Sequence, residues 1–179
     1  RPDQVDGAVL GQVLSAGTGQ APFRQAAVAG GLPLTVPSIR VNKVCLSGLE
    51  AIITADLMVR SGLAEVVVAG GMESMSRAPH LMPASRRGVK YGSTTLIDHL
   101  AYDGLHDALT DQSMGLLTEQ ANVAADFVTR EEQDAVAALS HRRAAQAWAQ
   151  GRFADEVVAV EVAGRGGGQR TTADPLRTP

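Results

Sequence analysis

The stretch CLSGLEAIITADLMVRSGLAEVVVAGG, residues 45–71, decides the architecture. Its first part, 45–61, carries Leu46, Leu49, Ile52, Ile53, Leu57, Met58 and Val59, with Ala51 and Ala55 between them. At about 100° per residue these cover most of a helix, and a helix apolar nearly all round is buried. Its last part, 64–71, is short, apolar from Val66 to Ala69, and ends on two glycines. Such a strand is covered on both faces, as in a parallel sheet. Upstream, residues 6–14 read as another strand, 15–22 as a Gly-rich turn and 23–31 as a short helix closed by two glycines. Residues 34–44 are extended, with Pro37 marking an edge or a break. This order makes the fold α/β and layered, with a buried central helix and residues 1–71 as part of the core domain.

After Gly71 the texture changes. Residues 72–92 form a long polar loop rich in Pro, Gly and Arg. Helices follow at 95–109 and 113–127. Thr129 then caps another helix, with Glu132 completing a capping box, and that helix runs to Gly151. Residues 155–162 read as a strand and 164–175 as a loop. Residues 72–179 are therefore expected to form a mainly helical loop domain, an insertion or separate lobe. The chain lacks an initiator Met and stops without closing an element, so it reads as part of a longer polypeptide.

Composition narrows the function. A net charge of −3 excludes a protein that binds nucleic acid over its whole surface, while leaving room for a local basic patch. With aromatics at 3%, the core must rest on Ala, Val, Leu and Ile. The single cysteine, Cys45, excludes an internal disulfide and favours a reducing, cytoplasmic setting. No apolar run is long enough to span a bilayer.

Cys45 opens the apolar helix on this reading. Free N–H groups and the helix dipole there favour an anion, hence a nucleophilic thiolate. Ser47 and Gly48 keep the first turn small, so a substrate can approach the sulfur. A lone cysteine is also a good small core residue. The helix start alone leaves these two readings even.

The adjoining residues decide between them. NKVCLSGLEAI (42–52) followed by VVVAGGMESMS (66–76) resembles the thiolase family, the acetyl-CoA acetyltransferases and 3-ketoacyl-CoA thiolases. GQVLSAGTGQAPFRQAA (11–27) and SMGLLTEQANVAADFVTREEQDAVAALSH (113–141) fit the same family. The resemblance implies that Cys45 accepts the acyl group and that its backbone N–H is an oxyanion donor. It implies acyl-CoA and CoA as substrates, no bound cofactor and no metal. Met114 matches a methionine near the family's acyl pocket, although core packing accounts for it nearly as well. Short-chain biosynthetic members carry histidine just before that methionine, against the pantetheine arm. Ser113 stands here instead, which leaves a broader range of 3-ketoacyl chains open.

Thiolases also use a histidine in Gly-His-Pro, an Asn-Glu motif and a second cysteine, none of which occurs among these residues. His80, His99, His106 and His141 lie in other contexts. The chain therefore corresponds to the N-terminal half of a thiolase. A catalytically incomplete acyl-CoA-binding subunit is the alternative. A condensing ketosynthase ranks below it, because its cysteine sits in a Cys-Ser-Ser context. By the same resemblance the whole protein is a homo-oligomer, a tetramer, whose loop bearing Arg77, Arg86, Arg87 and Lys90 faces the CoA polyphosphate. Asp98, His99, Asp103, His106 and Asp107 could suggest a metal site, but a solvated helix face explains them better. GTGQAP and GRGGGQR lack the ending of a phosphate loop and are turns. The helix at 130–150 carries mixed charge, which points to packing rather than membrane binding.

Overall fold

Val9 has no solvent exposure at all, because it lies at the middle of the central strand of a parallel sheet. The computed structural model describes residues 1–125, 128–163 and 169–172. In it β1 (Gly7–Gly11) pairs in parallel with β2 (Ser38–Val41) on one side and β3 (Val67–Gly71) on the other. The register sets Ala8 beside both Ser38 and Val68. Helices α1 (Pro22–Ala29) and α2 (Ser47–Arg60) make the crossovers that parallel strands require. Side chains alternate across a strand, so β1 serves both helices. Ala8 and Leu10 share a cavity wall with Ala26 and Ala27 of α1, while Gly7 and Gly11 approach Met58 and Ser47 of α2.

The α/β layered core is as expected, but α2 differs in two respects. It begins at Ser47, not Cys45, with Leu46 as N-cap. It is also not buried all round. Ser47, Ala51 and Ala55 form the buried stripe against the sheet. Leu49, Ile52, Ile53 and Leu57 stay exposed. The small residues win the inner face because only they let the helix backbone approach two glycine-ended strands. A Cβ on Gly11 would lie 2.5 Å from the Ser47 carbonyl carbon and 2.7 Å from the Gly48 nitrogen. A Cβ on Gly71 would lie 3.2 Å from the Gly11 oxygen and 3.7 Å from the Gly48 Cα.

Two carboxylates fasten the sheet. Asp6 Oδ2 accepts the Glu65 and Val66 N–H groups at 2.8 and 2.9 Å, pinning the approach to β3 against that of β1. The N–H groups of Val66 and Glu65 hold the Asp6 carboxyl below its ordinary value of 3.8. A depressed acid stabilises the folded chain above its unfolded value. That contribution fades as the pH falls through the lower, folded one. At the other end β1 stops at Gly11 rather than Leu14, because Glu73 takes the Val13 and Leu14 N–H groups that would have continued the ladder.

Residues Arg1–Leu117 and Thr118–Pro179 form two compact units. Within the first, the expected polar loop contains 3₁₀ turns at Met75–Arg77 and Pro83–Arg87 and strand β4 (His80–Leu81), which pairs with β5 (Ile97–Asp98). The helix expected over 95–109 is instead β5, a π-helical turn Leu100–Leu105 and β6 (His106–Asp107), which pairs with β7 (Gln112–Ser113). The Asp98 side chain takes the Leu100 N–H at 2.9 Å, which interrupts a regular helix there. Helix α3 (Met114–Ala125) follows β7. In the second unit α4 (Arg130–Ala149) starts as expected, with Thr129 and Glu132 exchanging cap bonds of 2.8 and 3.2 Å. None of its residues is buried, contrary to the packed helix expected. β8 (Val160–Ala163) pairs antiparallel with β9 (Gln169–Thr172), within a segment read as loop. Residues 164–168 and 173–175 of that reading lie outside the described residues. No described helix is long and apolar enough to cross a membrane.

Gly11→Ala is expected to lower unfolding free energy by about 1–3 kcal/mol, the cost of overpacking against rigid backbone. Gly48→Ala, where an added Cβ meets nothing within 4 Å, is expected to be neutral or stabilising by up to about 1 kcal/mol. Denaturant titration of the two variants separates them.

Candidate active site

Five residues join β2 to α2, and their polar groups force a sharp turn. Asn42 Oδ1 accepts the Val44 N–H at 3.0 Å. The buried Ser47 hydroxyl accepts the Lys43 N–H at 2.9 Å and donates to the Val44 carbonyl at 2.6 Å. Outside the turn, Lys43 Nζ and Glu50 Oε2 pair at 2.7 Å. Between these ties Val44 is held at φ 50, a left-handed conformation that a β-branched residue avoids. Such strain costs on the order of 1–3 kcal/mol and persists only where the surroundings enforce it.

The strained residue delivers Cys45 to the surface as an exposed thiol. Because α2 starts at Ser47, the sulfur stands just ahead of the first helical turn. The helix dipole therefore contributes less than a cysteine inside that turn would gain. Lys43 and Val44 carbonyls accept the Leu46 and Ser47 N–H groups, whereas the Cys45 N–H meets no acceptor among the described residues.

Cys45 lies at the edge of a cavity of about 460 Å³, at the C-terminal ends of β1 and β3. Ligands of open α/β sheets bind at such strand ends. One wall is Gly11–Leu14, a second is Gly71–Glu73 with Met75, and a third is Leu100, Gly104 and Leu105. Most polar groups near it are engaged in holding those walls, while Gln12 Oε1 is buried without a partner among the described residues. Both Glu73 carboxylate oxygens accept the Leu14 N–H at 3.2 Å, and Oε2 also takes the Val13 N–H at 2.8 Å. Gln12 is buried and donates to the Leu14 carbonyl at 3.4 Å. Glu73 and Gln12 were not singled out from sequence. Nothing local distinguishes a carboxylate whose partners lie 59 and 60 residues away.

The Asp98–Asp107 cluster is not the solvated helix face expected, because His99 and His106 are both held by carboxylates. His99 is buried, with Nδ1 at 2.5 Å from Asp103 Oδ2. His106 pairs with Asp111 at 2.9 Å and stacks on Tyr102.

The other candidate residues stand apart from Cys45. Ser113 borders a separate cavity of about 610 Å³ with Tyr102 and His106, and its hydroxyl accepts the Leu116 N–H at 3.3 Å. Met114 is half exposed, and neither residue lines the Cys45 cavity. Leu105 borders both spaces. Arg77, Arg86, Arg87 and Lys90 are exposed, and none is in an ion pair with another described residue.

Comparison with known proteins gives a consistent result. The family model described as thiolase, N-terminal domain, matches residues 1–178. The probable acetyl-CoA acetyltransferase of Mycolicibacterium smegmatis is 60% identical over 163 residues, covering 91% of this chain and 42% of that protein. The acetyl-CoA acetyltransferase of Pseudomonas aeruginosa is 50% identical over 165 residues, covering 92% and 42%. Among solved structures, the Acat5 thiolase from Ascaris suum in complex with coenzyme A superposes with a TM-score of 0.84 at 39% identity. That match covers 89% of this chain and 41% of that one. The chain thus spans about two fifths of the length of the relatives it matches.

Glu73→Ala removes the acceptor of two wall N–H groups, whereas Glu73→Gln keeps one acceptor oxygen. Hydrogen exchange at the Val13 and Leu14 amides is expected to speed up about tenfold in the alanine variant, the scale of one lost bond to a charged group. The glutamine variant is expected to fall between it and the unsubstituted chain.

Proposed function

This chain belongs to the thiolase family, matching its N-terminal domain, and on that premise we propose that Cys45 is the acyl-accepting nucleophile of a CoA-dependent acyltransferase. The observation that carries the proposal is an exposed thiol delivered by a strained turn to a cavity at the strand ends, its own N–H meeting no acceptor among the described residues. In the cleavage direction the thiolate attacks the 3-keto carbon of a 3-ketoacyl-CoA. The C2–C3 bond breaks, its electron pair goes to C2, and C2 takes a proton to give acetyl-CoA. The acyl thioester left on Cys45 then passes to the thiolate of free CoA. Condensation of two acetyl-CoA molecules is the reverse. Each step passes through a tetrahedral oxyanion, which the Cys45 N–H is free to meet as a donor.

Glu73 and Asp103 do not act as bases in this reading, because both Glu73 oxygens hold backbone N–H groups and Asp103 Oδ2 holds the His99 ring. By family resemblance the proton transfers fall to a histidine and a second cysteine in motifs absent from these residues. CoA as co-substrate is supported by the complex named for the Ascaris suum relative. With Ser113 as it stands, acetoacetyl-CoA and longer 3-ketoacyl-CoAs are both substrates; Met114, which does not line the Cys45 cavity, would meet the acyl chain only beyond it. Division into a core to Gly71 and a loop domain beyond it, and a cytoplasmic setting, belong to the same proposal. A second reading, an acyl-CoA-binding subunit without turnover, has one observation in its favour. No histidine lines the Cys45 cavity among the described residues.

In the full-length protein, acetyl-CoA is expected to leave one acetyl group on the Cys45 peptide by mass spectrometry and to protect it from iodoacetamide. Cys45→Ser is expected to cut thiolysis by roughly a thousandfold or more, as loss of a nucleophile does, with an unchanged circular dichroism spectrum. Full thiolysis by that variant would remove Cys45 from the mechanism. An acetyl adduct without thiolysis would favour the binding subunit.

The exposed cations supply a further element of the proposal. The whole protein is a tetramer, and the loop with Arg86, Arg87 and Lys90 faces the polyphosphate of incoming CoA. Deleting residues 84–91 is expected to give dimers by light scattering and a several-fold higher KM for CoA. Unchanged mass and KM would refute both roles.

A further inference from the structure

His99 is a buried titratable side chain, 6% exposed, that acyl transfer as described does not use. Its main-chain N–H donates to the Pro79 carbonyl at 3.2 Å. Its ring Nε2 accepts the Ala16 N–H at 3.3 Å. A nitrogen that accepts carries no proton, so the proton sits on Nδ1 and is donated to Asp103 Oδ2. The ring is therefore a neutral bridge between two segments that are far apart in sequence. One is the stretch after β1, whose residues Gly11–Leu14 wall the Cys45 cavity. The other is the π-helical turn, which supplies Leu100, Gly104 and Leu105 to the opposite wall. Among the described residues, the Ala16–His99 bond is the one side-chain hydrogen bond across this seam. Across the same seam Gly104 faces Leu14, and a Cβ at Gly104 would make ordinary contact, 3.5 Å from Leu14 Cδ2. The seam thus has room for a methyl group at Gly104, and the polar tie that spans it is the His99 bridge.

We propose that His99 is a positioning residue that sets the distance between the Leu14 and Leu105 walls and so selects the length of the acyl chain lodged beside Cys45. This rests on the reading of Cys45 as acyl acceptor. His99 touches neither the sulfur nor the substrate. It acts through the two apolar walls, Asp103 holding the ring's Nδ1–H and Ala16 placing its Nε2.

The test uses the full-length enzyme and the ratio of kcat/KM for acetoacetyl-CoA to that for a medium-chain 3-ketoacyl-CoA. His99→Leu is expected to change this ratio by about tenfold or more, the scale on which an apolar pocket discriminates one methylene. His99→Gln, whose amide oxygen can take the Ala16 N–H, is expected to restore most of it. Asp103→Leu, which leaves the ring unanchored, is expected to move the ratio in the same direction as His99→Leu. That variant decides the matter if His99→Leu does not fold. Iodoacetamide alkylation of Cys45, by a reagent too small to sense wall spacing, is expected to keep its rate. An equal fall in kcat/KM for both substrates, without rescue by glutamine, would make His99 merely structural and overturn the proposal. So would an unmoved ratio. Acyl adduct on Cys45 is read in the same unsubstituted samples. Its presence beside an unmoved ratio overturns the His99 role alone, and its absence overturns the Cys45 reading and the His99 role together.

Discussion

The first turn of α2 rests directly on the end of β1, backbone on backbone, and the rest of the molecule is arranged round that contact. Gly11 has no room for a Cβ, because the Ser47 carbonyl carbon would lie 2.5 Å from it. Gly71, in register with Gly11 on the neighbouring strand, closes the same seat against Gly48. With the helix held this close, the chain leaving Val41 has five residues in which to reverse and enter α2. Val44 takes the left-handed conformation under that constraint, and the thiol of the next residue is turned out over the strand ends. A bulkier residue at Gly11 would lift the helix, relax the turn and withdraw the sulfur together.

The polar residues near the sulfur show a division of labour. Glu73, Asp103 and His99 are the side chains in that region that chemistry would first recruit as acids and bases. Each is engaged in holding a wall of the cavity: Glu73 on the amides after β1, and His99 between Ala16 and Asp103. What remains among the described residues is a space with an exposed thiol and the Cys45 N–H at its edge, and the buried Gln12 Oε1, without a partner, in its wall. Such a site can accept and orient a thioester.

The same distribution accounts for the unusual surface of α2. Leu49, Ile52, Ile53 and Leu57 are as apolar as the face that packs, yet they are exposed. The sheet of this chain covers one side of the helix. The sequence of α2 is that of a helix built for cover on both sides.

The amino-acid sequence by itself determined what local periodicity and short-range bonding determine. The apolar run ending in Gly70 and Gly71, the small first turn after Cys45 and the parallel α/β order were all legible. So was the cap of α4, because Thr129 and Glu132 meet three residues apart. The extent of β1, the break-up of the helix expected over 95–109 and the strain at Val44 were not legible. Nor were the roles of Glu73 and His99. The extent of β1 and the roles of Glu73 and His99 depend on which backbone N–H groups the assembled sheet leaves without a partner, and those groups belong to residues 59 to 83 positions away. A carboxylate or imidazole reads the same in sequence whether it will meet water, a substrate or an orphan amide. Only the tertiary structure, by bringing the end of β1 to Glu73 and the π-helical turn to Ala16, decided which of these it was.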